Sequence, residues 1–516
     1  MNLFSAIFNE RSLCRTAILC DQRRITYEEL RNLTLEMASV FQKLIVAPGD
    51  RVALLLNDSP EFISSFIALC SSGAIAVPIN MALRLDEQLK ILEDCGARIV
   101  IGEANTCKQL PALAGKRLRN LREIVVVRNN DQEWPTGTDL TVQFLDELLR
   151  DAVQKSPSSF TTPADKQPAF TLYTSGSTGE PKGAIHCQAD IFVTNESFCS
   201  EILELRSGDR LFSSSRLPFA YGLGNSFTFP LLNGSTSVLC REKPTPEVIA
   251  GVLAEYHPTI FFAVPVVYNL LLERHRQRAP LDCSSLRLCI SAGEALPAQL
   301  GEEWERTFNL EVLDGIGSTE MLHMWMSNHS GEVRYGSSGK LLKGYEARLV
   351  DQEGHATLAG QEGNLWVKGA SAALGYWGKP EATARTFVNS WVRTGDLYRC
   401  DTDGYWFHLG RSDDCFKSSG QWVSPVEVEG VLLRHEDVSQ AAVVAALDDA
   451  GLPCASAFVV CKQVESDSNR IEAELRQLTR EALPRFKQPR RYLFVPELPY
   501  TATGKIQRFK LREEHD

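Results

Sequence analysis

The sequence predicts an α/β fold. It has a large N-terminal domain of two packed α/β subdomains plus a small β subdomain, followed by a small α+β C-terminal domain. Three observations predict this. Through the first three hundred residues, short apolar runs alternate with amphipathic segments, the signature of parallel strands joined by crossover helices. From about 336 to 403 the texture changes to short β-type runs punctuated by turns, as in a small antiparallel unit. The last hundred residues form a further strand-and-helix pattern. At 516 residues the chain exceeds one ordinary domain.

The elements follow in chain order. Residues 26–48 open Thr-Tyr-Glu-Glu-Leu, with Thr26 at an N-cap and Glu29 three positions on. This capping box precedes apolar residues at helical spacing through Leu44. A buried strand is expected over 50–57, a helix over 60–70, and strands over 74–79 and 97–101. The charged, Pro- and Ser-rich stretch 155–166 reads as a loop. A β-type run at 170–173 leads into Tyr-Thr-Ser-Gly-Ser-Thr-Gly-Glu-Pro-Lys-Gly at 173–183, and an apolar-periodic run follows Gly183. The pattern then repeats, with strands expected at 211–214, 236–240, 259–264, 286–291 and 311–313. Short β runs at 347–351, 363–368 and 391–394 build the antiparallel unit. The C-terminal unit has a hairpin-like start near Tyr405, strands at 441–446 and 456–460, and a helix over 471–482.

Composition narrows the function. Apolar residues make up 44% of the chain and charged residues 23%, as in a globular protein with ample core. The net charge of −11 argues against nucleic acid as a partner, which needs a basic face. The fourteen cysteines are dispersed, without a C-x-x-C pair or metal-ligand spacing. They read as buried free thiols in a reducing compartment. Residues 1–11 lack a basic segment followed by an apolar core. No uncharged apolar run approaches the roughly 20 residues of a membrane span. The expectation is a cytoplasmic protein with no membrane insertion.

Residues 173–183 combine glycines, hydroxyls and one lysine. Glycines let the backbone close on a ligand, and successive N–H groups in such a turn form an anion-binding concavity. Thr174, Ser175, Ser177 and Thr178 add hydroxyl donors, and Lys182 adds a mobile positive charge. This is a polyphosphate cradle. It is not a Walker A loop, because Pro181 precedes Lys182 and Gly183 follows it. Ser291-Ala-Gly-Glu294 and Asp314-Gly-Ile-Gly-Ser-Thr-Glu320 each close a strand with a Gly turn and a carboxylate. In open α/β sheets such strand ends converge on one crevice. Glu320 there suits Mg²⁺, which takes one or two carboxylates plus phosphate oxygens. Asp396, ending Trp-Val-Arg-Thr-Gly-Asp, offers a carboxylate to a ribose diol. Gly410-Arg-Ser-Asp-Asp414 fits a charged, solvated hinge. Thr503-Gly-Lys505 lies on an expected loop near the C-terminus.

Together these patches resemble the acyl-adenylate-forming superfamily, which includes acyl-CoA synthetases and the adenylation domains of nonribosomal peptide synthetases. The resemblance covers nearly the whole chain, with five motifs in order. They are the cradle at 173–183, Gly-Ser-Thr-Glu at 317–320, Arg-Thr-Gly-Asp at 393–396, Gly-Arg-Ser-Asp-Asp at 410–414, and Thr-Ala-Thr-Gly-Lys-Ile-Gln-Arg at 501–508. It implies a two-step ligase. A carboxylate attacks the α-phosphate of ATP, giving acyl-AMP and pyrophosphate, and a thiol then displaces AMP. By this likeness Thr174, Ser175, Gly176, Ser177, Thr178, Gly179 and Lys182 would hold the β- and γ-phosphates. Thr319 and Glu320 would hold Mg²⁺ and the α-phosphate. Gly293, Glu294, Asp314, Gly315 and Ile316 would border adenine. Asp396, assisted by Arg411, would take the ribose, and Lys505 would bridge the carboxylate and α-phosphate. The resemblance also implies a domain of residues 1–410 and a mobile one of 411–516 that swings about Asp413. Lys417, Ser419 and Gly420 would then line a thiol tunnel. Only Gly420 of the family's frequent glycine pair is kept.

Within that superfamily the chain looks most like benzoate-type aryl-CoA ligases. The matching stretches are Phe-Ala-Tyr-Gly-Leu-Gly-Asn at 219–225, Gly-Ser-Thr-Glu-Met-Leu-His at 317–323, Ser327-Asn328, and Val-Arg-Tyr-Gly at 333–336. Amino-acid-activating relatives place an aspartate at the position of Ala220, where it pairs with the substrate ammonium. Alanine cannot, so an ordinary α-amino acid is disfavoured. Ala220, Tyr221, Gly222, Val264, Met321, Leu322 and His323 would face a small aromatic carboxylic acid. Coenzyme A is the expected thiol, with Lys417, Lys487, Arg490 and Arg491 available for its phosphates. A phosphopantetheinyl carrier protein is the alternative acceptor. A non-catalytic nucleotide sensor is a remote one.

Overall fold

The computed structural model describes the chain except residues 1, 9–12, 114–115, 128–139, 153–159, 161–163, 165, 176–179, 278, 352, 359, 419–420, 449–450, 463–466, 501–505 and 514–516. Its first large sheet has seven strands. In spatial order they are Thr141–Phe144, Glu123–Val127, Ile99–Glu103, Arg51–Leu55, Ile75–Pro78, Pro168–Ser175 and Pro181–Cys187. All neighbours are parallel except the last pair, which is antiparallel. The central strands are buried along almost their whole length, as expected where helices cover both faces.

The helices start where the sequence signals them. Tyr27–Lys43 begins at Thr26, whose side chain accepts from the Glu29 backbone while the Glu29 carboxylate accepts from the Thr26 N–H. Pro60–Ser71 is capped by Ser59 and carries Pro60 at its first turn. Eleven of its twelve residues are buried, which a helix achieves only inside a core.

The second large sheet has nine strands. In order they are Lys340–Leu341, Met324–Ser327, Val312–Gly317, Leu288–Ser291, Ile260–Ala263, Arg210–Ser213, Thr236–Leu239, Thr16–Cys20 and Arg23–Thr26. The middle is parallel and both ends are antiparallel. Thr16–Cys20 pairs in parallel with Thr236–Leu239, so the start of the chain is woven into the second subdomain. The expected strands at 211–214, 236–240, 259–264, 286–291 and 311–313 all lie in this sheet.

A five-stranded antiparallel sheet follows. It contains Tyr345–Val350, Glu362–Gly369 and Trp391–Cys400, and both Phe387–Val388 and Trp406–Arg411 pair with the last of these. This corrects the assignment of the run near Tyr405 to the C-terminal unit. A tight turn at 401–404, with Gly404 at φ +83°, folds Trp406–Arg411 back on its predecessor. The C-terminal unit has the sheet Val438–Leu447, Pro453–Cys461 and Arg491–Phe494, with helices Pro425–Leu432 and Ser468–Ala482 against it. It has its own core, including Val428, Val431, Val443, Ile471 and Leu475. All fourteen cysteines are free thiols. Among the described residues no helix is long and apolar enough to cross a membrane.

Candidate active site

The stretch 173–183 starts and ends in two paired strands. Pro168–Ser175 and Pro181–Cys187 run antiparallel, with Thr174 opposite Lys182 and Tyr173 opposite Gly183. The apolar run after Gly183 is therefore a strand first, and turns helical only at Gln188–Thr194. Gly176, Ser177, Thr178 and Gly179 lie outside the described residues, as does the Ser175 side chain. Gly183 is required by packing: a Cβ there would stand 2.6 Å from Thr171 Cγ2 and 2.8 Å from the Tyr173 ring. The other edge of Pro181–Cys187 bonds to residues 374–377, through Leu374 N–H to the Ile185 carbonyl and Trp377 N–H to the Gly183 carbonyl, each at 2.8 Å. That pairing brings Tyr376 beside Lys182, whose Nζ lies 5.7 Å from the ring centroid.

Glu320 stands on the single turn Thr319–Met321, which follows strand Val312–Gly317. Tyr376 Oη donates to Glu320 Oε1 at 2.6 Å. The Glu320 carbonyl accepts from the Ala373 N–H at 2.8 Å. Among the described residues its other carboxylate oxygen takes no hydrogen bond. The next residue but one, Leu322, is held at φ +67°. A branched residue rarely adopts that conformation, and it is tolerated where surrounding structure imposes it. Lys182 and Glu320 thus sit on segments joined through Tyr376.

Gly293, at φ +95°, turns the chain after strand Leu288–Ser291, and a Cβ there would meet Val264 at 3.3 Å. Val264 therefore borders this turn. Asp314 is buried on the neighbouring strand and accepts from the Leu296 N–H through Oδ2. Among the described residues its Oδ1 and the Ser291 hydroxyl have no hydrogen-bond partner. Burial pushes the Asp314 carboxyl up from 3.8 to about 8. A carboxyl whose folded value is raised contributes stability that is complete below its unfolded value and is lost as pH rises to about 8. Asp314→Asn removes that slope. Its melting temperature should gain on the parent's from pH 5 to 8 and level beyond, whereas a difference independent of pH would show that Asp314 is ionised throughout.

Asp396 lies opposite Arg411 on adjacent strands. Arg411 Nη1 donates to Asp396 Oδ1 at 3.0 Å and to the Thr394 carbonyl at 2.9 Å. His408 Nε2 lies 3.6 Å from the same carboxylate oxygen. Burial alone would raise the Asp396 carboxyl, but His408, Arg411 and Thr394 together hold it at about 2. It is a fixed anion at any ordinary pH.

The proposed acyl pocket begins at helix Ala220–Leu223, which continues into a π-helical turn at Gly224–Thr228, a feature frequent at functional sites. Tyr221 Oη donates to the Ile290 carbonyl at 3.1 Å. His323 is buried, with ring centroids of Phe198 and Phe229 each 4.7 Å away and Tyr221 5.6 Å away. Its Nε2 lies 3.1 Å from Asn225 Oδ1. Burial holds the imidazole down to about 3, so it is neutral. His323 Nδ1 and Asn225 Nδ2 have no hydrogen-bond partner among the described residues. Met321 and Leu322 are buried, with Met321 in the core of the second subdomain. A Cβ on Gly222 would stand 2.1 Å from the Arg216 carbonyl oxygen. Backbone cannot yield cheaply there, so Gly222→Ala should cost about 3 kcal/mol or more in denaturant unfolding; unchanged unfolding would show that this turn is plastic.

In the C-terminal unit, Asp413 lies in the turn after Arg411. Asp414 pairs with Arg512 at 2.5 Å, and Arg508 pairs with Glu429 at 2.8 Å. Lys505 lies outside the described residues. Its flanks, Tyr500 and Ile506, are bridged, and Tyr500 and Arg508 both lie within electrostatic reach of Glu294. Lys417 stands on strand Phe416–Ser418, while Ser419 and Gly420 lie outside the described residues. Of the cations expected to meet an anionic thiol arm, Lys487 is paired with Glu427 and Arg490 with Asp448, which reduces the charge they offer.

Comparison with known proteins decides the family. Residues 8–377 match the AMP-binding enzyme model, and residues 427–505 match the AMP-binding enzyme C-terminal domain. The chain belongs to the AMP-binding enzyme family. It is 39% identical to a benzoate–CoA ligase of Thauera aromatica, over 96% of this chain and 92% of that protein. It is 37% identical to a 4-hydroxybenzoate–CoA/benzoate–CoA ligase of Rhodopseudomonas palustris, over 97% and 90%. Among solved structures it resembles an anthranilate CoA ligase in complex with anthranoyl-AMP, at TM-score 0.91 and 35% identity, over 100% of this chain and 97% of that one. As a member of the AMP-binding enzyme family, the chain carries its large N-terminal and small C-terminal domains. Three side chains at the site escaped the sequence: His186, Tyr376 and His408. Each meets a partner distant in sequence (Thr319, Glu320 and Asp396 respectively) that no local pattern announces.

Proposed function

We propose that the protein is an ATP-dependent aryl-acid–CoA ligase. It activates a benzoate-like carboxylate as an acyl-AMP with release of pyrophosphate, then transfers the acyl group to coenzyme A. The observation that carries this reading is the convergence of Lys182, Tyr376 and Glu320 beside the buried Asp314 and the Asp396–Arg411 pair, in a chain similar to acid–CoA ligases over nine-tenths of its length. The domain division is set at 410/411, one residue before the end of strand Trp406–Arg411, with the hinge near Asp413.

The residues take these roles. The stretch 174–179 and Lys182 hold the β- and γ-phosphates. Asp314 and Ser291 interact with each other at the strand ends before Gly293, and a purine amine there would supply a further donor to the carboxyl. Asp396, fixed as an anion, accepts from the two ribose hydroxyls. Mg²⁺ would be held by Glu320, whose free oxygen suits a hard cation; when bound, it neutralises phosphate charge. Lys505 approaches from the C-terminal domain to meet charge developing between the attacking carboxylate and the α-phosphate, where fixed charges act most strongly.

The acid is aromatic and small. Ala220 supplies no charge for an ammonium, and Tyr221, Phe198 and Phe229 line the neighbourhood of a neutral His323. The unpartnered His323 Nδ1 and Asn225 Nδ2 favour a ring that bears a hydroxyl or amine. Radiolabelled pyrophosphate exchange into ATP tests the reading: it should require benzoate or a ring-substituted benzoate, and exchange driven equally by short alkyl acids would overturn it.

A further inference from the structure

Strand Pro181–Cys187 carries a buried histidine that the roles above leave unused. His186 is fully buried between the phosphate hairpin and the turn bearing Glu320. Its Nε2 lies 2.8 Å from the Thr319 carbonyl oxygen, and its Nδ1 lies 2.8 Å from Asp190 Oδ2. A carbonyl only accepts, so Nε2 carries a proton and donates it. The Asp190 carboxylate also accepts from the Cys187 N–H at 3.1 Å and the Cys187 thiol at 2.9 Å. With donors gathered on both its oxygens, it holds the ring in one orientation, and Phe170 stacks on the ring at 5.3 Å.

These contacts close a frame. Strand Pro181–Cys187 bonds to residues 374–377. That segment and the residue before it hold Glu320 through the Tyr376 hydroxyl and the Ala373 N–H. His186 then returns from the turn to the strand. Among the described residues, the hydrogen bonds that tie Thr319 and Glu320 towards strand Pro181–Cys187 run through residues 373–376 and through His186.

We propose that His186 is a positioning residue for adenylation: its Nε2–H tethers the Thr319 carbonyl, and with it Glu320, to the strand that carries Lys182. The inference rests on the reading of Glu320 and Lys182 as phosphate-side groups, and adds what sets their separation. Misplacing a catalytic group by about 1 Å costs about 100-fold in rate.

Two amide substitutions separate the tether from mere packing. In His186→Gln the side-chain N–H₂ falls near the former Nε2 and still reaches the Thr319 carbonyl. In His186→Asn it falls near the former Nδ1 and reaches only Asp190. Benzoate-dependent pyrophosphate exchange should stay within about tenfold of the parent in the Gln variant and fall about 100-fold in the Asn variant. Thioester formation from supplied benzoyl-AMP should change by less than about threefold in both, with closely similar melting temperatures. Equal exchange in the two variants, or parallel loss of both half-reactions, would overturn the tether. A parent protein without benzoate-dependent exchange would instead overturn the function on which it rests.

Discussion

Lys505→Ala should abolish acid-dependent pyrophosphate exchange while largely sparing thioester formation from supplied aroyl-AMP. The ammonium is assigned to charge that develops only as the carboxylate attacks the α-phosphate. A group acting there stabilises the transition state and not the substrate, so its loss appears in the rate of adenylation. Removing one such fixed donor costs about 10²–10³-fold. Tyr500 and Arg508, on either side of residues 501–505, lie within electrostatic reach of Glu294 at the nucleotide turn. That proximity of the flanks to Glu294 is what the assignment of Lys505 to the proposed adenylation site predicts. On the proposed rotation about Asp413, Lys505 would leave the site before the second half-reaction and would have no partner there to lose. Equal loss of both half-reactions would contradict the rotation about Asp413.

Asp396→Ala should lower kcat/KM for ATP by about 100-fold or more, since hydrogen bonds to a charged group contribute about 1.5–3 kcal/mol each and a diol takes two. Arg411 would be left without its carboxylate partner, and the ribose without its acceptor. Asp396→Asn keeps the size but accepts through one oxygen only, so it should fall between the parent and the alanine variant. The carboxyl is held at about 2, below its ordinary 3.8. A lowered carboxylate contributes stability that is present above the unfolded value and is lost as pH falls through about 2. ATP affinity should therefore show no Asp396 titration above about pH 4. An Asn variant with the parent's kcat/KM would remove Asp396 from the ribose site.

Much of the fold was legible because its signals are local. The Thr26–Glu29 capping box, the Ser59-Pro60 helix start and the buried strands at 51–55 and 99–103 each declare themselves within a few residues. What was not legible is pairing across distance. Thr16–Cys20 joins a strand more than two hundred residues away, and no pattern near residue 16 distinguishes the first sheet from the second. The run after Tyr405 was read into the C-terminal unit because a hairpin signal names a turn, not the sheet it belongs to.

The candidate site divides in the same way. The glycine-rich and carboxylate motifs that a polyphosphate and a ribose require stand out by composition. Tyr376 and His186 do not, because an aromatic residue near a strand and a histidine in an apolar run are ordinary core residues. Only the register Ala184 to Tyr376 and the approach of the 319–321 turn reveal that Tyr376 bonds Glu320 and His186 the Thr319 carbonyl. His323 illustrates the converse. The likeness to aryl-CoA ligases pointed to it, and the structure adds that it is neutral, caged by Phe198 and Phe229, and bonded to Asn225.

The central claim is that this protein joins a small aromatic acid to coenzyme A. The direct measurement is mass spectrometry of thioesters formed from ATP, Mg²⁺, coenzyme A and a panel of benzoate, its hydroxy- and amino-forms, and short alkyl acids. Aroyl-CoA should form with release of AMP, while the alkyl acids yield little. Alkyl-CoA as the main product, or aroyl-AMP that accumulates without any CoA thioester, would contradict it.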